Sequence, residues 1–283
     1  MGFVKINKGA ENEVKIHFQD YGKGKPVLLI HGWPLSQEMW EYQIEDLVNA
    51  GNRVITYDRR GFGQSSKPYD NYTFDILAED LKAVMDDLDL DDVTLVGFSM
   101  GGGEVVRYFS NHNGARVSKV VLISSIIPYM LKTSSNPEGV DASVFEEMLT
   151  KIKNDRIGFL ENFGKQFFGI NLVNKPISTP LLEYYRMLAS VASPKATIEC
   201  AKAFSQTDFR DEVKSIQVPT LIIHGKEDKT VPIEASSDRT ATLIKGCRYI
   251  QYDGAPHGLF YTDKEKLNKD LIAFVREPAL VMN

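Results

Sequence analysis

The chain has 283 residues, 43% of them hydrophobic and 25% charged, which is ample apolar material for one large core or two smaller ones. A net charge of −5 gives no global basic field to recruit nucleic acid or an anionic membrane. Two distant cysteines, Cys200 and Cys247, make neither a zinc motif nor a disulfide framework and read as isolated thiols, with a single disulfide left open.

The first segment, MGFVKINKGAENEV, has no apolar stretch of signal-peptide length, and no later run is long enough to span a membrane. Ile6 stands where a myristoylation motif needs serine or threonine, so a cytoplasmic protein is expected. The segment EVKIHF alternates and is predicted to pair antiparallel with FVKI at a sheet edge. The runs Val27–Ile30, Val54–Tyr57, Val93–Gly97 and Val120–Ser124 are continuously apolar, as in parallel strands covered on both faces. Leu77, Leu81, Val84 and Leu88 keep helical spacing behind Thr73, a predicted N-cap. The acidic run Asp86–Asp92 lacks calcium-loop spacing and reads as a solvated turn.

From 128 to 207 the segments VFEEMLTKI, FLENFGKQFF, LLEYYRMLASVA and ATIECAKAF are amphipathic and helical in pattern. Strand patterns return at Val218–Gly225 and Arg248–Tyr252, followed by the helical KLNKDLIAFV. The expected organisation is therefore an α/β core, residues 1–127 and 208–283, with a mostly parallel sheet flanked by helices and a helical cap inserted at 128–207.

Three consecutive glycines, Gly101 to Gly103, stand where a helix should begin, although each costs about 1 kcal/mol relative to alanine there. They follow Gly97-Phe98-Ser99-Met100-Gly101, a G-x-S-x-G pentapeptide between a predicted strand and a predicted helix. That context fits a nucleophile elbow, in which Gly97 and Gly101 relieve a sharp turn and Gly102 and Gly103 let the helix pack closely on neighbouring strands. A serine needs a base, and the chain offers five histidines. His17 lies in the alternating strand, His112 at the far end of the helix after Ser99, and His224 closes an apolar strand as a packing residue. His31 begins HGW, which reads as an oxyanion loop. His257, in DGAPHG after the last strand, is the predicted base. Asp228 is the predicted acid, with Glu227 and Asp253 as alternatives. The chain order Ser99, Asp228, His257 is nucleophile, acid, histidine. Gly61-Phe62-Gly63 has Ser66 in place of the third glycine of a dinucleotide fingerprint.

The segments HGWPLSQEMWEYQ, YDRRGFGQSSKP, LVGFSMGGGEVVRY, DFRDEV, VPTLIIHGKEDKTVP and APHG resemble the bacterial arylesterases and cofactor-free haloperoxidases, a group of the α/β-hydrolase fold that includes perhydrolases. The likeness runs over nearly the whole chain. It implies an acyl-enzyme on Ser99, with His257 as base, Asp228 as its partner, and an oxyanion hole of the Met100 and Trp33 N–H groups. It implies a substrate pocket containing Pro34, Phe163, Phe167 and Val231, although a Phe163–Phe167 pair at this spacing also fits an ordinary core. It implies a structural turn held by Asp58 and Arg59, small ester substrates, hydrogen peroxide as co-substrate, and no metal, haem or other cofactor. Lactone, lactam or C–C bond hydrolysis on the same residues, or a slow ligand-sensing receptor, are the alternatives. Homo-oligomerisation stays open.

Proline after the oxyanion tryptophan biases Trp33 toward extended backbone and resembles the haloperoxidase branch. Pro34→Leu should therefore lower the ratio of perhydrolysis to hydrolysis, measured on one preparation; an unchanged ratio would assign Pro34 to loop rigidity alone.

Overall fold

In the computed structural model, which describes residues 1–278, the short apolar runs become the strands of one eight-stranded sheet. A hairpin, β1 (Gly2–Ile6) and β2 (Val14–Gly22), precedes β3 (Pro26–Ile30), α1 (Glu41–Asn49), β4 (Arg53–Tyr57), α2 (Phe74–Asp87), β5 (Val93–Phe98), α3 (Gly101–His112) and β6 (Val117–Ile123). Four helices follow: α4 (Ala142–Asn154), α5 (Arg156–Phe167), α6 (Thr179–Ser190) and α7 (Pro194–Gln206). The sheet resumes with β7 (Thr220–Gly225), α8 (Ser237–Leu243) and β8 (Arg248–Tyr252), and the described chain ends in α9 (Leu259–Thr262) and α10 (Lys264–Arg276).

The strand order is β1-β2-β4-β3-β5-β6-β7-β8. From β4 to β8 all pairings are parallel. The alternating hairpin joins antiparallel, but only β1 is an edge, because β2 also pairs with β4. Continuous apolar strands follow from burial on both faces. Leu28, Ile30, Leu95, Val120 and Leu122 face one core together with Leu77 and Leu81 of α2 and Val105 of α3. Their neighbours Val27, Leu29, Val96, Val121 and Ile223 face the other, with Leu47 of α1 and Leu271 of α10.

Local signals set the helix starts. The Thr73 side chain accepts from the Ile76 N–H, and Ser178 and Ser193 do the same for α6 and α7 ahead of a proline in the first turn. Both cysteines are free. The acidic turn before β5 pairs with surface cations, Asp92 with Lys25 and Asp89 with Arg116.

Beneath the C-terminal ends of β3 and β4 lies a fully buried ion pair. Arg59 Nε donates to Glu104 Oε1 (2.6 Å), Tyr57 donates to Glu104 Oε2 (2.6 Å), and Arg59 Nη2 donates to the His31 carbonyl (2.6 Å). The turn after β4 is pinned separately. Asp58 accepts from the Gln37 and Gln64 N–H groups (both 2.9 Å), and a side chain on Gly63 would collide with its carboxylate. Removing one partner of a buried pair leaves an uncompensated charge. Glu104→Leu should therefore cost about 3–5 kcal/mol in urea unfolding. Arg59→Met/Glu104→Leu should cost clearly less than Glu104→Leu alone, and equal costs would show that the pair is not electrostatically coupled.

Candidate active site

The parallel strands deliver three loops to one edge of the sheet, as expected for ligand sites in such folds. Between β5 and α3 the chain reverses at Ser99, whose φ of 53° is left-handed. The reversal leaves no room on either side. A Cβ on Gly97 would lie 2.8 Å from Gly101 backbone, and one on Gly101 would lie 2.7 Å from the Ile30 carbonyl oxygen. Gly102 meets Ser125, just beyond β6, and Gly103 meets Phe74 of α2 rather than a strand (2.4 Å). Each of the three costly glycines thus answers a specific close approach.

At that tip Ser99 Oγ lies 3.0 Å from His257 Nε2, and His257 Nδ1 lies 2.6 Å from Asp228 Oδ2. The loops carrying histidine and acid are fastened to each other. Glu227 N–H donates to the Ala255 carbonyl (3.1 Å), and a side chain on Gly225 would strike that same oxygen. The alternative acids are elsewhere: Asp253 is exposed and paired with Lys226, and Glu227 points outward as an exposed residue. The rings of Phe98 and Phe167 pack on the His257 imidazole at 4.9 and 4.7 Å between centroids.

Asp228 holds one oxygen, Oδ1, for the Thr230 and Val231 N–H groups (2.9 and 2.8 Å). Its other oxygen meets a second imidazole, His224 Nε2, at 3.1 Å. The same Nε2 lies 2.9 Å from the Val231 carbonyl, which can only accept, so this nitrogen carries the proton. His224 Nδ1 is then left to accept from the Ser237 hydroxyl at 2.6 Å. His224 is therefore more than the packing residue expected at a strand end. The available signal was its position four residues before the acid. Burial pushes the Asp228 carboxyl up, but His257 and the hydrogen bonds from His224 and His257 outweigh it and hold the group below the usual carboxylate range.

The Met100 and Trp33 N–H groups flank the serine at the start of α3 and after β3. Among the described residues neither donates to another protein group, although both residues are buried. Unpaired buried donors are uncommon in folded proteins, and these two are free for an anion at the positive end of a helix. The Trp33 loop is held from behind by His31. Its Nε2 accepts from the Arg59 N–H (2.9 Å), so its Nδ1 donates to the Gly32 carbonyl (2.8 Å). Burial first, then the Arg59 charge, lowers the His31 pKa to about 3, which keeps the ring neutral and fixes that tautomer.

Above Ser99 lies a cavity of about 310 Å³. Trp33, Phe159, Phe163, Phe204 and Val231 line it, so two of the four expected pocket residues are there. The other two are displaced. Phe167 is buried behind Phe163, against His257 and Phe98, and Pro34 faces a separate small apolar space with Leu160 and Tyr185. The Trp33–Pro34 peptide bond is cis. Phe159, Phe204, Met130 and Met148 were not expected in the wall. They come from α4, α5, α7 and the loop after β6, whose docking no local pattern encodes.

A family model described as the alpha/beta hydrolase fold matches residues 25–264. The crystal structure of a bromoperoxidase from Bacillus anthracis superposes with a TM-score of 0.94 and is 44% identical, covering 98% of this chain and 99% of that one. A non-heme haloperoxidase from Rhodococcus erythropolis is 40% identical over 97% of this chain and 99% of its own length. A bifunctional esterase/perhydrolase from Acinetobacter calcoaceticus is 38% identical over 98% of this chain and all of its own.

The depressed Asp228 pKa has a signed consequence. A carboxyl held low in the folded state contributes stability that is complete above the ordinary aspartate value, and that stability is lost as pH falls through the lower folded value. The stability lost in Asp228→Asn should therefore be full at neutral pH and begin to shrink below about pH 4. Denaturation of both proteins across that range measures it; a pH-independent difference would separate the loss from the carboxylate charge.

Proposed function

The chain belongs to the α/β-hydrolase fold family, in its group of arylesterases and cofactor-free haloperoxidases, and on that premise we propose that it is a serine-dependent carboxylic ester hydrolase with perhydrolase activity. The observation that carries the reading is the hydrogen-bonded line from Ser99 Oγ through His257 to Asp228 at the floor of an apolar cavity.

Ser99 Oγ attacks the acyl carbonyl while His257 Nε2 takes its proton, and Asp228 keeps Nδ1 protonated and supports the imidazolium. The Met100 and Trp33 N–H groups receive the oxyanion of the tetrahedral intermediate. His257 then protonates the leaving alkoxide or phenoxide, and an acyl-enzyme remains on Ser99. Water, deprotonated by His257, releases the acid. Hydrogen peroxide in the same position releases a peracid, which oxidises halide in solution and is reduced to the carboxylic acid. The aromatic and aliphatic cavity favours small apolar acyl or aryl groups. The names of the relatives, a haloperoxidase and an esterase/perhydrolase, support both halves of this chemistry.

Ser99→Ala should lower p-nitrophenyl acetate hydrolysis on the order of 10⁴-fold or more, and should abolish peracid formation from acetate and peroxide in the same preparation. Full activity in the variant would remove Ser99 from the chemistry. A folded wild-type protein silent in both assays would favour the slow ligand-sensing alternative.

A further inference from the structure

A peracid made at Ser99 forms inside a space whose walls differ greatly in reactivity. Most of the lining is hydrocarbon, such as Ile126, Val140 and the phenylalanine rings, and peracids leave it intact. Two side chains, Met130 and Met148, are thioethers and line the same cavity as Ser99. Met130 is 2% exposed and Met148 half-buried. By contrast, Met187 on α6 is 52% exposed and outside the cavity. The thiol of Cys200 is fully buried away from the cavity, and burial pushes its pKa up to about 12, so it presents no thiolate.

We propose that Met130 and Met148 are modification sites for the protein's own product, oxidised to sulfoxides by peracid before it leaves the cavity. The inference rests on the perhydrolase reading above. The step is balanced: a sulfur lone pair attacks the terminal oxygen of the peracid, the O–O bond breaks and an S–O bond forms. Sulfur loses two electrons, the peracid is reduced to the carboxylic acid, and its hydroxyl proton ends on the carboxylate. The oxidant is supplied by the acyl group and hydrogen peroxide. A sulfoxide replaces a flexible apolar side chain with a polar one. The wall then loses affinity for apolar acyl groups, and peracid output limits itself.

The test uses the full chain with ethyl acetate and hydrogen peroxide, in the presence of excess free methionine that consumes peracid once it escapes. Peptide mass mapping reads one added oxygen at each methionine. Proximity to the forming peracid should enrich oxidation of Met130 and Met148 over Met187 by about tenfold relative to peroxide alone. Ser99→Ala should show no such enrichment. If peracid accumulates in a parallel reaction without free methionine, and the two cavity methionines are oxidised no more than Met187, the inference fails and the enzymatic reading stands. If no peracid forms and no enrichment appears, both fail together.

Discussion

The start of α3 and the C-terminal ends of β3 and β4 lean on the buried pair of Arg59 and Glu104. Glu104 lies on α3 one turn beyond Ser99; its carboxylate accepts from Tyr57 at the end of β4, and the Arg59 guanidinium donates to Glu104 and to the His31 carbonyl just after β3. A buried ion pair is weak evidence for stability, because apolar residues of similar volume often do as well. Its value here is directional. The Arg59 backbone N–H fixes one tautomer of His31, His31 holds the Gly32 carbonyl, and the guanidinium holds the His31 carbonyl two residues before the Trp33 N–H. An apolar replacement would keep the backbone donor and lose the hold on that carbonyl. The pair therefore sets geometry where a hydrophobic cluster would set only density.

A second constraint is steric and acts on Ser99 itself. Left-handed backbone at a non-glycine residue is costly, and it persists at Ser99 because surroundings on all sides over-determine it. Ile30, Ser125 and Phe74 each occupy the volume a side chain on the glycine run would need. The elbow is thus clamped by β3, the end of β6 and the start of α2, and Ser99 cannot relax without displacing one of them. Precision of this kind costs no reorganisation at the moment of reaction, which is where preorganised electrostatic catalysis gains.

Legibility in the sequence followed the locality of each constraint. Strand positions were readable because burial on both faces writes itself as a continuous apolar run, and β8 coincides with the predicted Arg248–Tyr252. The hydrogen-bonded serine, histidine and aspartate were readable because fold topology fixes their chain order and places each after a strand. The role of His224 was not. Its meaning depends on which groups face its two nitrogens, and Ser237 at the start of α8 and the Val231 carbonyl in the loop before it are placed by a path no local pattern specifies. The cavity wall failed for a related reason. Phe163 and Phe167 share a helix face by spacing, yet one meets the cavity and the other packs on His257, a division that depends on tertiary docking and not on spacing.

That division has a physical counterpart in the molecule. The hydrogen-bonded Ser99, His257 and Asp228 come from strand ends fastened by backbone hydrogen bonds and by glycines that admit no side chain. Most of the cavity wall comes from helices between β6 and β7, held by aromatic contacts such as Trp33 with Phe163 and Phe204. Trp33 belongs to both systems. Its backbone N–H is unpaired beside Ser99, while its indole donates to the Thr197 carbonyl of α7 and forms cavity wall. A change in how the helices dock is therefore felt at the free Trp33 N–H through one residue, whereas substitutions elsewhere in the wall reshape the cavity and leave the hydrogen-bonded line intact. Apolar packing is broad in its tolerances and catalytic hydrogen bonds are narrow. Keeping the two in different elements lets the cavity wall vary while the hydrogen-bonded line stays fixed, with Trp33 as the point where the separation ends.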